Sequence, residues 1–122
     1  MAKLTVETVD TPSLLAQGLM GRDSIPQNHG MLFKFPMATE AAFWGKDTYI
    51  PLDIAFVDTG NRVVEMKQIV PMSTRLIRSS INNCAMAIET NQGWFQKNNI
   101  NIGSLVTLIK NNDGEINEVS FG

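Results

Sequence analysis

Apolar and polar residues alternate along much of this chain with the two-residue period of strands. Leu4, Val6 and Thr8 oppose Thr5 and Glu7, which predicts a short first strand. Thr11-Pro12 then supplies an N-cap followed by proline at the first helical position. The helix it starts is expected to turn Leu14, Leu15 and Leu19 inward and to end between Gly18 and Gly21, since glycine tolerates the left-handed conformation that closes helices. Arg22 to His29 lacks periodicity and reads as a loop.

Gly30 to Phe35 is a compact apolar run with Pro36 behind it, a buried strand. Residues 38–42 are equally compatible with a helical turn or a loop. Phe43-Trp44 resumes extended structure, and Gly45 marks a bulge or a close backbone approach. The stretch from Phe43 to Phe56 sets apolar anchors around a polar centre of Lys46, Asp47 and Thr48. Beyond it, Asp58-Thr-Gly-Asn-Arg62 is turn chemistry, so Ile54 to Val57 and Arg62 to Val70 should pair as a hairpin.

Pro71 to Asn83, rich in Ser, Asn and Arg, reads as a long irregular connection. Cys84 to Glu89 alternates again: Cys84, Met86 and Ile88 on one face, Ala85, Ala87 and Glu89 on the other. The small alanines leave room for something to lie closely on that second face. Gly93 to Lys97 suggests a helical turn held down by Trp94 and Phe95. Leu105 to Lys110 and Glu115 to Phe121 form a hairpin around Asn111-Asn-Asp-Gly114. The expected fold is mainly β: a compact sandwich or partly closed barrel of six to eight short strands with two short helices. Helices long enough for a doubly wound fold are missing from the pattern.

Composition narrows the function classes. The 122 residues fit one domain, 1–122, and 43% hydrophobic against 18% charged residues is a globular balance. The net charge of −2 has no basic block, which argues against a surface that tracks nucleic-acid phosphates. One cysteine and one histidine exclude an intramolecular disulfide and any usual His/Cys zinc site. The N-terminus lacks the apolar core of a signal peptide, and no membrane-length apolar run occurs. These features lead to the expectation of a soluble protein of the cytoplasm or an intracellular assembly, without cofactor, metal or membrane attachment.

Several blocks carry a family resemblance. Gly18-Leu-Met-Gly-Arg-Asp23, Gly30-Met-Leu-Phe33, Phe43-Trp44 with Ile50-Pro-Leu-Asp-Ile54, and Glu89 with Gly93-Trp94 and Gly103 occur in order. In these the chain resembles domain of unknown function family 192, the uncharacterised ACR family. Members usually continue Phe-Trp with Met-Lys-Asn-Thr, whereas Gly45 and Asp47 stand here in place of the Met and the Asn. The resemblance implies a compact, mostly β domain and no assigned reaction, substrate or cofactor.

Asp47, Asp53 and Glu89 are the carboxylates expected to be held by structure, with Arg22 the fixed cation. A functional reading makes them, with Lys46 and Trp44, a ligand site or an acid/base cluster. The structural reading, which weighs more, pairs Arg22 with one of these carboxylates and lets Asp53 satisfy backbone N–H groups after Pro51, because buried charges persist mainly when paired. His29 and Cys84 could form a nucleophile pair, although a lone strand cysteine is more often a small hydrophobe. The aromatic faces of Phe43, Trp44, Tyr49 and Trp94 suit a groove, with core packing favoured for Phe43 and Trp94. No phosphate-binding glycine loop or nucleophile elbow is present.

The leading expectation is a non-enzymatic binding or assembly module, extending to a structural component of a larger, even viral, particle. It would present Arg75 and Arg78 of the 71–83 connection to a protein partner or to a second copy. The alternative is a small-ligand-binding or hydrolytic enzyme that uses the carboxylates.

Overall fold

The computed structural model describes residues 2–122. Among them, nine strands and two short helices follow in the order β1 (Ala2–Val9), α1 (Pro12–Gln17), β2 (His29–Thr39), β3 (Ala42–Phe43), β4 (Leu52–Asp58), β5 (Val63–Ile69), β6 (Ile77–Arg78), β7 (Cys84–Asn91), α2 (Trp94–Lys97), β8 (Val106–Lys110) and β9 (Ile116–Phe121). Seven strands form one mixed sheet in the order β5-β4-β7-β2-β1-β9-β8, and β3 pairs with β6 in a separate ribbon.

The hairpins come from side chains that close their own turns. Asp58 Oδ1 accepts from the N–H groups of Gly60 (2.9 Å) and Arg62 (3.1 Å), which joins β4 to β5. Asn111 Oδ1 does the same for Asp113 and Glu115 between β8 and β9. The β1–β2 pair is parallel, with α1 in the crossover. Thr11 caps α1, accepting from Leu14 N–H at 3.4 Å, and Gly18 ends it at φ 49°.

The sheet curls until its edge strands meet at one end. Val63 N–H donates to Ser104 C=O (2.9 Å), Gly103 N–H to Val63 C=O (2.7 Å) and Val106 N–H to Asn61 C=O (2.8 Å). The ladder does not close further, so the molecule is a partly closed barrel. All seven strands send buried side chains into its interior, among them Leu4, Leu32, Ala55, Val63, Ile88, Val106 and Val119, and Trp94 and Phe95 of α2 pack there. The outer face of β2, β4 and β7 carries a second core of Met31, Phe33, Ile54, Phe56 and Ala87, covered by Leu19, Ala41 and Ile50. No helix among the described residues is long and apolar enough to cross a membrane.

Three local expectations are corrected. Leu14 is 44% exposed, because the six-residue α1 lies over the sheet through Leu15 and the following Leu19 instead. The 71–83 connection is not wholly irregular: β6 within it pairs with β3 and straps the outer core. Cys84 does not share a face with Met86 and Ile88. Val57 registers with Met86 and Asp58 with Cys84, so Ala85 is an extra residue, and a bulge of this kind moves everything beyond it to the other face. Cys84 therefore belongs to the outer core, fully buried, with its Sγ donating to Met86 C=O at 3.2 Å.

Candidate functional site

The strongest site is a pocket of about 440 Å³ on the outer face of the sheet. Its floor is β7 and β2, one wall is the end of α1 with the Gly18–Met20 turn, and the other wall is β3 with the segment running to Thr48. Gly18 makes the first wall possible. At φ 49° it turns the chain down onto Phe33, so close that a Cβ there would stand 3.2 Å from the ring. Gly21 N–H donates to Asp47 C=O at 2.8 Å, tying the two walls together.

Glu89 stands on the floor. It registers with Met31 on β2 and Ile54 on β4, both buried, and is itself only 4% exposed. Among the described residues nothing compensates its charge. Burial alone acts on the carboxyl, with no hydrogen bond or cation opposing it, and pushes its pKa from 4.5 to about 8. No fully shielded side-chain oxygen or nitrogen lacks a partner among the described residues, so the unpaired Glu89 carboxyl opens onto the pocket. Leu15, Leu19, Phe33, Phe43 and Trp44 make the surroundings apolar. Phe43 meets Phe33 edge to face, ring centroids 4.9 Å apart, and Phe56 at 6.1 Å. Thr48, 5% exposed, donates its hydroxyl to Lys46 C=O at 3.2 Å.

The other expected site residues fall in different places. Trp44 lines the pocket, and Lys46 sits over its ring, Nζ 5.3 Å from the centroid. Asp47 contributes its backbone, a left-handed turn at φ 55° that asparagine and aspartate adopt more readily than most residues. The Asp in place of the family's usual Asn thus preserves the conformation. Asp53 lies on the other face of the sheet from Glu89 and accepts from Gly93 N–H at 2.8 Å, capping the start of α2, not the chain after Pro51. Asp47, Asp53 and Glu89 do not converge, and no group of three or more potential metal ligands forms among the described residues.

Arg22 pairs with Glu7 of β1 at 2.7 Å, both half-exposed, and not with any of those three carboxylates. Arg78 pairs with Glu40 at 3.1 Å, bracing β6 against the end of β2, while Arg75 is exposed on the connection. His29 and Cys84 are separated by the whole of β2, whose last residue Thr39 registers with Cys84. Trp94 is core, with its indole N–H donating to Asn28 Oδ1 at 2.9 Å. Thr48, Phe33 and the Gly18–Leu19 turn also belong to the site: Thr48 comes from the polar centre after Trp44, and the others from the family blocks at Gly30–Phe33 and Gly18–Asp23, which by themselves assign no ligand. The signal that exists is Glu89 itself, a charge within β7 directly after the apolar run from Cys84 to Ile88.

The fold and the pocket now have a context. The profile of DUF192, the uncharacterised ACR, matches residues 1–108. The chain belongs to this family. A crystal structure from Sinorhizobium meliloti 1021, carrying the provisional description of a transcription regulator, is similar at 35% identity and a TM-score of 0.79, covering 82% of this chain and 78% of that one. A protein of unknown function from Novosphingobium aromaticivorans DSM 12444 is similar at 30% identity and a TM-score of 0.76, covering 80% and 70%. No curated protein matches this DUF192 chain.

Proposed function

We propose that this DUF192 protein is a non-enzymatic module that binds a small, largely apolar molecule in the pocket beneath α1. One observation carries the reading: a carboxyl buried to 4% exposure faces an apolar pocket with no partner of its own. A buried polar group without a partner costs stability, and a ligand that satisfies it recovers that cost on binding. The pocket volume lies within the roughly 300–1,000 Å³ typical of small-molecule sites. Binding is favoured over hydrolysis because Glu89 is the single titratable side chain in the lining, and Thr48, the nearby hydroxyl, already gives its proton to a carbonyl. The reading needs no cofactor. Nucleic acid is a poor ligand for it, given the net charge of −2 and the engagement of Arg22 and Arg78 by Glu7 and Glu40.

The test is a fragment screen by two-dimensional NMR on the wild type and on Ala42→Trp, which fills the pocket from its exposed rim. Hits should move resonances of Leu15, Leu19, Phe43 and Trp44 and be lost in the variant. Hits that bind both proteins equally would remove the reading.

A second reading rests on a different surface. Val70, Met72 and Leu76 are 59%, 54% and 45% exposed, beside Tyr49 at 53%, where Met72 N–H donates to the carbonyls of Gly45 and Thr48. This supports a protein-docking or self-association face on the 71–83 connection, with Arg75 at hand. Solution mass by light scattering across micromolar concentrations checks it; a monomer throughout would count against self-association. The idea of a viral-particle component finds no supporting observation.

A further inference from the structure

The chemistry of the pocket narrows the ligand further, given the ligand-binding reading above. Its two buried polar side chains, Glu89 and Thr48, can both accept a hydrogen bond, and the remaining polar side chain of the lining, Gln17, is exposed and uncharged. Glu89, when ionised, only accepts hydrogen bonds, and Thr48 Oγ1, having donated its proton to Lys46 C=O, has lone pairs left to accept. No Lys, Arg or His lines the pocket. Along the row of paired residues through Glu89, the next charges are Glu7 beyond Met31 and Lys67 beyond Ile54, each two strands away, or roughly 9–10 Å. Glu7 is held by Arg22, and Lys67 by Arg78 C=O and Glu65. Above the floor, the Lys46 ammonium is occupied on the Trp44 ring. Among the described residues no cation lines the acidic site, and Phe33 and Phe43 add rings whose faces attract cations, beside the Trp44 ring that holds Lys46.

We infer that the pocket takes a small organic amine, its ammonium held by Glu89 and Thr48 and its carbon skeleton packed among Phe33, Phe43 and Trp44. A carboxylate or phosphate ligand would find no cation in the lining to pair with. A wholly apolar ligand would leave the carboxyl as unsatisfied as it is without one.

The proton balance gives the inference its signature. Near neutral pH Glu89 holds a proton and a free aliphatic amine is an ammonium, so forming the ion pair sends one proton from Glu89 to solvent. Affinity for the amine should therefore rise by roughly tenfold per pH unit below about 8 and level off above it. A neutral alcohol that accepts from protonated Glu89 should show the opposite trend.

The experiment is calorimetric titration of the full chain with 2-phenylethylamine, 2-phenylethanol and phenylacetate at pH 6, 7 and 8, with pocket resonances followed by NMR. The amine is expected to bind best, with an affinity at pH 8 at least tenfold above that at pH 6 and with proton release visible as a buffer-dependent heat. Glu89→Gln should weaken amine binding by at least about tenfold and leave the alcohol little changed. If the alcohol or the acid binds in the pocket and the amine does not, the amine inference is overturned while the ligand-binding reading stands. Amine affinity without pH dependence, or equal in Glu89→Gln, overturns it as well. If none of the three moves a pocket resonance the inference also fails, and the ligand-binding reading is then judged by the fragment screen alone. The wild-type pH series decides even if Glu89→Gln does not fold.

Discussion

Asp53 and Gly93 are joined by a 2.8 Å hydrogen bond from the glycine N–H to the aspartate Oδ2, across forty positions of sequence. The bond fastens the start of α2 to β4, and α2 carries Trp94 and Phe95 into the barrel interior. Asp53→Ala should cost about 1–2 kcal/mol, the usual penalty for leaving a partly buried donor without its acceptor. Asp53→Asn, which keeps an acceptor oxygen, should cost less. Urea denaturation checks both, and ligand binding in the pocket on the other face should not change. An Asp53→Ala protein of wild-type stability would show that α2 is held by its aromatic packing alone.

Gly45 is defined by Val70. An added Cβ at position 45 would collide with the Val70 carbonyl oxygen, a backbone atom with little room to move, because the 45–48 and 70–73 segments exchange hydrogen bonds there. Gly45→Ala is expected to destabilise by about 1–3 kcal/mol or more, as overpacking does. Gly45→Met should be worse, although it restores the residue usual in the family's pattern. Thermal melts of the two variants against wild type test this. A Gly45→Met protein as stable as wild type would mean that the crossing shifts easily.

Both relationships show how much was legible in the sequence. Gly45 could be read as a bulge or a close backbone approach because a glycine within an extended run has few other uses. The hairpins at Asp58–Arg62 and Asn111–Gly114, and the Thr11-Pro12 helix start, were legible because their chemistry is local. The partners of Asp53 and Arg22 were not. Gly93 and Glu7 are brought to them by strand order and by the parallel β1–β2 crossover, which no local pattern encodes. Glu89 was legible as a residue of the close-packed alanine face, but its isolation depends on Met31 and Ile54 arriving on either side. Cys84 was misplaced because a bulge adds one residue without a composition signal.

Cys84 provides a test of the outer core. Its thiol is fully buried among the outer-core side chains, and burial pushes its pKa above the ordinary value. Alkylation in the native protein should be far slower than for a free thiol, since the thiolate is the reactive form. Labelling should become fast only as denaturant unfolds the chain, with a midpoint matching the loss of circular dichroism. Rapid labelling of the folded protein at neutral pH would place Cys84 at the surface and undo its burial in the outer core.

Glu89 makes stability itself depend on pH. Its folded pKa, about 8, lies above the 4.5 of an unperturbed glutamate, so the native state keeps a proton that the unfolded chain releases. Wherever the folded state binds more protons, stability falls as pH rises. The contribution is therefore fully present below about 4.5, declines through the interval up to about 8 and is lost above it, a span on the order of a few kcal/mol. Glu89→Gln cannot ionise and should lack this slope. The variant is expected to match wild type within about 1 kcal/mol near pH 5, a neutral amide replacing a neutral acid, and to exceed it by a few kcal/mol at pH 8.5. Urea melts of both proteins from pH 5 to 8.5 isolate the effect, because taking the difference removes the titrations they share. Parallel curves would mean that Glu89 acquires a partner in solution. A saturating amine ligand, by supplying one, should raise wild-type stability most at the alkaline end and stabilise Glu89→Gln less, by an amount that does not grow with pH.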